Sequence, residues 1–264
     1  MNNKLGVSES YLNPYGVLGN LALCKSCGFD CVELKNLDDN QGTKKLLLAL
    51  SDENIEAGIH FRSIHLPFGE EYDISHEDEL VRNSTVWAYI NIIRSAAILR
   101  PEIVVLHASF EPVPDARRKQ RMANCIDSLR LLCPRAREYG AKVAVECLPR
   151  SCLGNTSADL LFMISEVKDQ LGICFDSNHL TKESNSDFIK NTGRHIVTTH
   201  FSDFDGVDEK HWLPGKGVLN WPQIISMLKH HGYNGPYIFE TRSEDLPLTE
   251  ALDLLKKSWR EISE

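Results

Sequence analysis

Long apolar runs are missing from this 264-residue chain. No apolar segment reaches the roughly 18 residues that a membrane-spanning helix needs, so no membrane partner is expected. The opening MNNKLGVSES has no apolar signal core, which points to the cytoplasm. Positive charge is in short supply as well. The 29 Lys and Arg stand against 37 Asp and Glu, a formal net charge of −8. That balance disfavours extensive contact with a phosphate backbone and argues against a nucleic-acid partner, which leaves a small molecule as the expected substrate. Paired CxxC motifs are lacking. Among eight Cys, only Cys24 and Cys27 have that spacing, with no second pair to complete a four-Cys zinc site. All eight are read as reduced thiols, and the 24–27 pair as part of a helix. No GxGxxG follows the first apolar run, so a dinucleotide fold loses its main support.

What is present is a regular alternation. Short apolar, β-rich runs occur at 4–8, 31–35, 63–67, 103–107, 142–146, 172–176, 196–202 and 237–240. Between them, residues 78–100, 117–140, 221–232 and 247–262 repeat apolar positions at three- and four-residue steps, the helical period. Gly140 and Gly232 close two of these segments, as helix terminators commonly do. No low-complexity stretch or linker divides the chain. Strands apolar on both faces and alternating with helices indicate a parallel sheet covered by helices. Eight such units, with a repeat of about 33 residues, favour a closed barrel over an open sheet. The expectation is α/β: a single (β/α)8 TIM barrel spanning residues 1–264.

The ends of these runs are unexpectedly polar. GICFDSNHL (172–180) leaves its apolar run at Asp176 and reaches His179 three residues later. The other run ends are Glu33, His65, His107, Glu146, His200 and Glu240, with Asp203 just beyond the seventh run. In such barrels the C-terminal strand ends build the active site. A single strand-end His is ordinarily a hydrogen-bonded packing residue, and a single Glu is ordinarily paired with a nearby Lys or Arg. The whole set at one mouth is different. Its members would repel and desolvate one another unless a cation offset their charge. Arg62, Arg150, Lys35 and Lys216 are the basic residues placed to help, and a divalent metal is the simpler answer. Carboxylates with imidazoles suit Mn²⁺, Zn²⁺, Co²⁺ or Mg²⁺, with Mn²⁺ and Zn²⁺ foremost, rather than a thiolate-preferring ion.

The chain resembles the xylose isomerase-like barrel superfamily, which contains sugar phosphate isomerases/epimerases and endonuclease IV. The resemblance runs through IHLPF (64–68), VVLHASF (104–110), VAVECLPRSCLGNT (143–156), ICFDSNH (173–179), THFSDFDG (199–206), HWLPGKGVLNW (211–221) and YIFET (237–241). It implies that Glu146, Asp176, His200 and Glu240 are the metal ligands, and that His179 contacts substrate. It also implies a role for His65 and His107, which match positions that bind a further zinc in the endonuclease branch and face substrate or water in many sugar enzymes. Two departures stand out. Where the endonuclease branch has Asp-Arg-His, this chain has Glu209, Lys210 and His211, so an additional metal held by His179, Glu209 and His211 is conceivable. Where the family's ketose 3-epimerases place an Arg after the metal-binding His, Asp203, Lys210 and Lys216 are the nearby polar residues here.

The function expected is a divalent-metal-dependent isomerase or epimerase of a sugar, sugar phosphate or polyol ketone. Glu146 and Glu240 would transfer the proton on opposite faces of a metal-stabilised enediolate. His179, His65, His107, Lys216 and Arg150 are the expected substrate contacts. An endonuclease IV-like zinc phosphodiesterase acting on abasic DNA, and an inactive sugar-binding barrel, are the rival readings. The long turn-rich segment 147–156 reads either as a substrate-covering loop or as a solvated crossover. PGKG (214–217) reads as an anion nest or a plain turn, and Phe68, Phe110 and Trp212 as sugar-facing or rim aromatics. Barrels of this kind often associate through their outer helices, which leaves a homo-oligomer open, and no exposed stripe is identifiable from the sequence.

Overall fold

In the computed structural model, which describes residues 4–242 and 246–263, strand and helix alternate from end to end. The first half runs β1 (Leu5–Ser8), the short helices α1 (Glu9–Leu12) and α2 (Leu21–Ser26), β2 (Cys31–Leu34) and α3 (Gln41–Ala57). Then come β3 (His60–His65), α4 (Glu79–Ala96), β4 (Ile103–Leu106) and α5 (Asp115–Glu138). The second half runs β5 (Lys142–Glu146), α6 (Ser157–Val167), β6 (Leu171–Asp176) and α7 (Asn185–Thr192). It finishes with β7 (Ile196–Phe201), α8 (Trp221–His230), β8 (Tyr237–Phe239) and α9 (Leu248–Ser263). Helix starts follow local chemistry. The side chains of Asn40, Thr156 and Ser184 accept from the backbone N–H groups of Thr43, Asp159 and Asp187, three residues on.

All strand pairs are parallel, and β8 returns to β1 to close the barrel in sequence order. This is the (β/α)8 fold. Most of the apolar core lies between strands and helices, where Val32, Val104, Val145, Phe175 and Phe239 meet residues such as Leu47, Ile92, Leu129 and Leu252. The barrel interior has only a small apolar cluster of its own, Ile103, Val105, Ala144 and Cys174, with Val197 against it. β1 contributes a glycine to this lumen. A Cβ on Gly6 would stand 2.6 Å from Cys31 Sγ and 3.0 Å from Ile238 Cγ1, so only glycine fits without movement.

Two register shifts adjust the strands. β3 begins at His60, three residues before the run read from sequence, and its pairing with β2 skips Arg62 between Phe61 and Ser63. Arg62 accordingly points to the strand N-termini, where it meets Glu102 and donates 2.9 Å to the Val197 carbonyl. The expectation that it offsets charge at the C-terminal mouth is corrected on this point. A similar shift between β6 and β7 passes over Val197. No described helix is long and apolar enough to cross a membrane.

Candidate active site

Side chains on a strand alternate between its faces, so two residues beyond each lumen residue lies another lumen residue. Two positions above Val105 comes His107; above Ala144, Glu146; above Cys174, Asp176. The same spacing carries β7 from Thr198 to His200, β8 from Ile238 to Glu240, and β3 from Ser63 to His65. The apolar floor thus gives way within one step to a layer of acids and imidazoles. Glu146, Asp176, His200 and Glu240 are all buried, and each offers a ligand atom within 4.8 Å of the others.

His200 organises this layer. Its Nε2 lies 2.9 and 3.1 Å from the two carboxylate oxygens of Glu33, which is itself held by a 2.6 Å hydrogen bond from Ser63 Oγ. With the proton on Nε2, Nδ1 is left facing Glu240 Oε2 at 2.7 Å, Glu146 Oε1 at 3.0 Å and Asp176 Oδ2 at 3.9 Å. Burial alone would discharge the imidazole, yet Cys174, Glu33, Glu240 and Glu146 raise its pKa well above the ordinary value. Glu146 and Glu240 are held well below the usual carboxylate range despite burial, Glu146 by His200, His107 and His65, Glu240 by Lys35 and His200. Burial instead pushes Asp176 up to about 6. Asp176 Oδ2 and Glu240 Oε2 have no hydrogen-bond partner, a costly state for buried acceptors. Three converging carboxylates, an imidazole nitrogen and two unsatisfied oxygens fit a hard or borderline divalent cation.

Two further groups adjoin this set. Glu146 Oε2 lies 3.0 Å from both His65 Nε2 and His107 Nε2. His65 Nδ1 contacts the Leu66 carbonyl at 2.8 Å, and burial pushes the His107 pKa down to about 4. His179, Glu209 and His211 form the other group. Nδ1 of His179 lies 3.0 Å from the Cys147 carbonyl, and Nδ1 of His211 lies 3.1 Å from the Glu240 carbonyl. A carbonyl only accepts, so each Nδ1 carries a hydrogen. His179 Nε2 stands 3.2 Å from Glu209 Oε2. Burial opposes charge on His179, but Asp176, Glu209 and Glu146 raise its pKa to about 10, and the hydrogen bond from His179 brings Glu209 down to about 2.

A cavity of about 270 Å³ opens onto these groups, and its wall includes His107, Glu146, His179, Glu209, His211 and Glu240. Phe68, Phe110, Leu148 and Pro149 give it an apolar side, with Lys35, Glu111, Arg150 and Cys152 around the rest. Phe68 stacks on the His107 ring with centroids 4.1 Å apart. Segment 147–156 is not a solvated crossover, and it contributes Leu148, Pro149, Arg150 and Cys152 to the cavity wall. It is largely buried, and Arg118 of α5 donates to the carbonyls of Ser151 and Cys152 at 2.9 and 3.0 Å and to Asn155 Oδ1 at 2.7 Å. Arg150 and His211 have φ of 51° and 54°, a left-handed conformation that costs a non-glycine residue energy and is often found at functional sites.

Besides Arg62, which lies at the opposite end of the barrel, the residue expected at the mouth from the sequence that fails to reach it is Lys216, which is exposed and lies off the cavity wall. The reason is local. Gly215 N–H donates 2.9 Å to Asp203 Oδ2, and Trp221 Nε1 donates 2.8 Å to the same atom. The PGKG turn is thereby wrapped around an internal carboxylate, and Asp203 is a loop anchor. Trp212 also lies off the wall, while Phe68 and Phe110 are on it. Sequence reading gave no role to Asn178, whose Oδ1 accepts from the N–H groups of Lys210 and His211 at 2.9 and 3.4 Å. Its position between Asp176 and His179 was the available signal. Cys24 is buried in α2, and no Cys of the described residues forms a disulfide.

Residues 21–258 match the family described as xylose isomerase-like TIM barrel. The chain belongs to that family. Its relatives include an inosose isomerase of Halalkalibacterium halodurans, 25% identical over 95% of this chain and 93% of the relative. An L-ribulose-5-phosphate 3-epimerase of Shigella flexneri is also 25% identical, over 91% of this chain and 87% of the relative. Among solved structures, a D-psicose 3-epimerase from Clostridium cellulolyticum H10, determined with D-tagatose, superposes with a TM-score of 0.83 over 99% of both chains at 17% identity. That likeness concerns the fold; the two sequence relatives are an isomerase and an epimerase by name.

Proposed function

We propose that this xylose isomerase-like barrel is a divalent-metal-dependent isomerase or epimerase of a small sugar or polyol ketone. The observation that carries the reading is the convergence of Glu146, Asp176 and Glu240 on His200 Nδ1 beneath a cavity of monosaccharide scale. Those four residues would hold the ion, which when bound supplies positive charge to a substrate carbonyl and its neighbouring hydroxyl. Glu146 and Glu240 project from β5 and from the end of β8, well apart around the barrel, so their carboxylates address a bound carbon from different sides. One lifts a proton from the carbon next to the carbonyl and the other returns one, which inverts that carbon. Transfer by one Glu between neighbouring carbons exchanges aldose for ketose instead. His179, fixed by the Cys147 carbonyl, directs Nε2 toward a substrate hydroxyl, and Phe68 and Phe110 shelter the apolar face of the sugar ring.

Proton exchange tests the scheme. Replacing Glu146 or Glu240 by Gln should lower wash-in of deuterium from solvent, followed by NMR across a panel of ketoses, by about 100-fold or more. Substantial exchange surviving in both variants would exclude a two-carboxylate mechanism.

The His65–His107–Glu146 and His179–Glu209–His211 groups favour a second reading, a zinc phosphodiesterase related to endonuclease IV in which these residues hold additional ions. Metal content separates the two: a single tightly held ion per chain supports the isomerase, and two or three support the phosphodiesterase.

A further inference from the structure

The charge around the cavity speaks to the kind of ketose, given the isomerase reading above. Among the described residues, the wall carries four carboxylates, Glu111, Glu146, Glu209 and Glu240, against two Lys and Arg cations, Lys35 and Arg150, and the imidazole of His179, which is already engaged with Glu209 at 3.2 Å. Neither cation is free. Lys35 Nζ is paired with Glu240 Oε1. The Arg150 fork meets Glu111 through Nε at 2.8 Å, Asp208 through one terminal nitrogen at 2.8 Å and Glu209 through the other at 3.1 Å. A guanidinium binds a phosphate with the same donors, and here they are already distributed over three acids from the loops after β4 and β7.

The turn that could have served as an anion nest is itself engaged. The glycine turn at 214–217, the most plausible anion nest in the sequence, has its Gly215 N–H on Asp203. Lys210 is paired with Asp205 at 3.3 Å, and Lys216 stands off the wall. One side of the wall, Phe68, Phe110, Leu148 and Pro149, is apolar. A phosphate monoester brings about −1.5 to −2 charges at pH 7 into this surround. Holding it would require Arg150 to desert its carboxylates and leave them unpaired beside another anion, an arrangement that like-charge repulsion opposes. An uncharged polyol asks only for hydrogen bonds and a flat apolar side.

We infer that the site accepts an uncharged ketose or polyol ketone and turns away the corresponding phosphate ester, with the Arg150–Glu111–Asp208–Glu209 cluster as the discriminating element. This would set the chain apart from its relative named for L-ribulose 5-phosphate.

The test uses the Mn²⁺-loaded protein and matched pairs: D-fructose with its 6-phosphate, and L-ribulose with its 5-phosphate. Turnover is followed by NMR and binding by calorimetry. The free ketose of a pair should show kcat/KM and affinity at least about tenfold above its ester. Glu111→Gln, which releases one arm of Arg150, should narrow that preference, and reading it as a ratio cancels any general loss of activity. An ester used as well as its free ketose, or a preference untouched in Glu111→Gln, overturns the inference while the isomerase reading stands. If no sugar reacts in either form, the isomerase reading falls. Calorimetry then still decides the charge, because anything other than tighter binding of the free ketose overturns the inference.

Discussion

The residue that sets the geometry of the mouth is His200, and it does so through a partner that does not face the cavity. Glu33 accepts a hydrogen bond from Nε2–H and so presents Nδ1 to the three acids. A carboxylate behind a metal-binding imidazole fixes its tautomer and orientation and is worth about 10–100-fold in metal affinity. Glu33→Gln preserves the volume and removes the charge. Competition with a chelating dye should therefore show Mn²⁺ affinity about 10–100-fold weaker, with an unchanged circular dichroism spectrum. Unaltered affinity would mean that Nδ1 needs no such support. Glu33 stood in the sequence among the strand-end acids, yet its partner could not be read there, because β2 and β7 are separated by well over a hundred residues of chain. Cations were harder still. Lys35 pairs with Glu240 as an offsetting charge should, whereas Arg62 and Lys216 were displaced by a register shift and by a turn closing on Asp203.

At the scale of elements, the strands were legible because each is a short apolar run bounded by turn chemistry, and because parallel strands are covered on both sides. β3 was the exception. Two of its first three residues, His60 and Arg62, are polar and hide the strand in the sequence; His60 and Phe61 pair with β2, and an irregularity then passes over Arg62. The loops were the least readable elements. Nothing local in 147–156 reveals that Arg118, some thirty residues earlier on α5, ties it down. Strand packing inside the barrel yields its own prediction. Gly6→Ala forces a methyl group onto Cys31 Sγ and should destabilise the protein by about 1–3 kcal/mol in urea titration. Shortening the obstructing side chain with Cys31→Ala should restore part of that loss, since residues in contact do not add independently. Additive losses would show that the conflict lies elsewhere.

On the scale of the molecule, a chain of formal charge −8 concentrates buried acids at one end of its barrel. An ion bound there stabilises the folded state by an amount that grows with its concentration, about 2.7 kcal/mol at a hundredfold excess over its Kd. Chelator-treated protein should accordingly melt lower than protein returned to Mn²⁺, by differential scanning calorimetry, and substitution of Asp176 by Asn should reduce the difference. Equal melting temperatures with and without ion would reject the four-residue ligand set.

The thin apolar floor formed by Ile103, Val105, Ala144 and Cys174 has a practical corollary. It insulates one opening of the cylinder from the other. The far opening, where Lys4, Lys25, His60, Arg62 and Glu102 gather, borders a recess of its own about 430 Å³ in size. Tethering the protein to a bead or an electrode through Lys4 or Lys25 would orient the charged mouth outward into bulk liquid, with the chemistry undisturbed by the support.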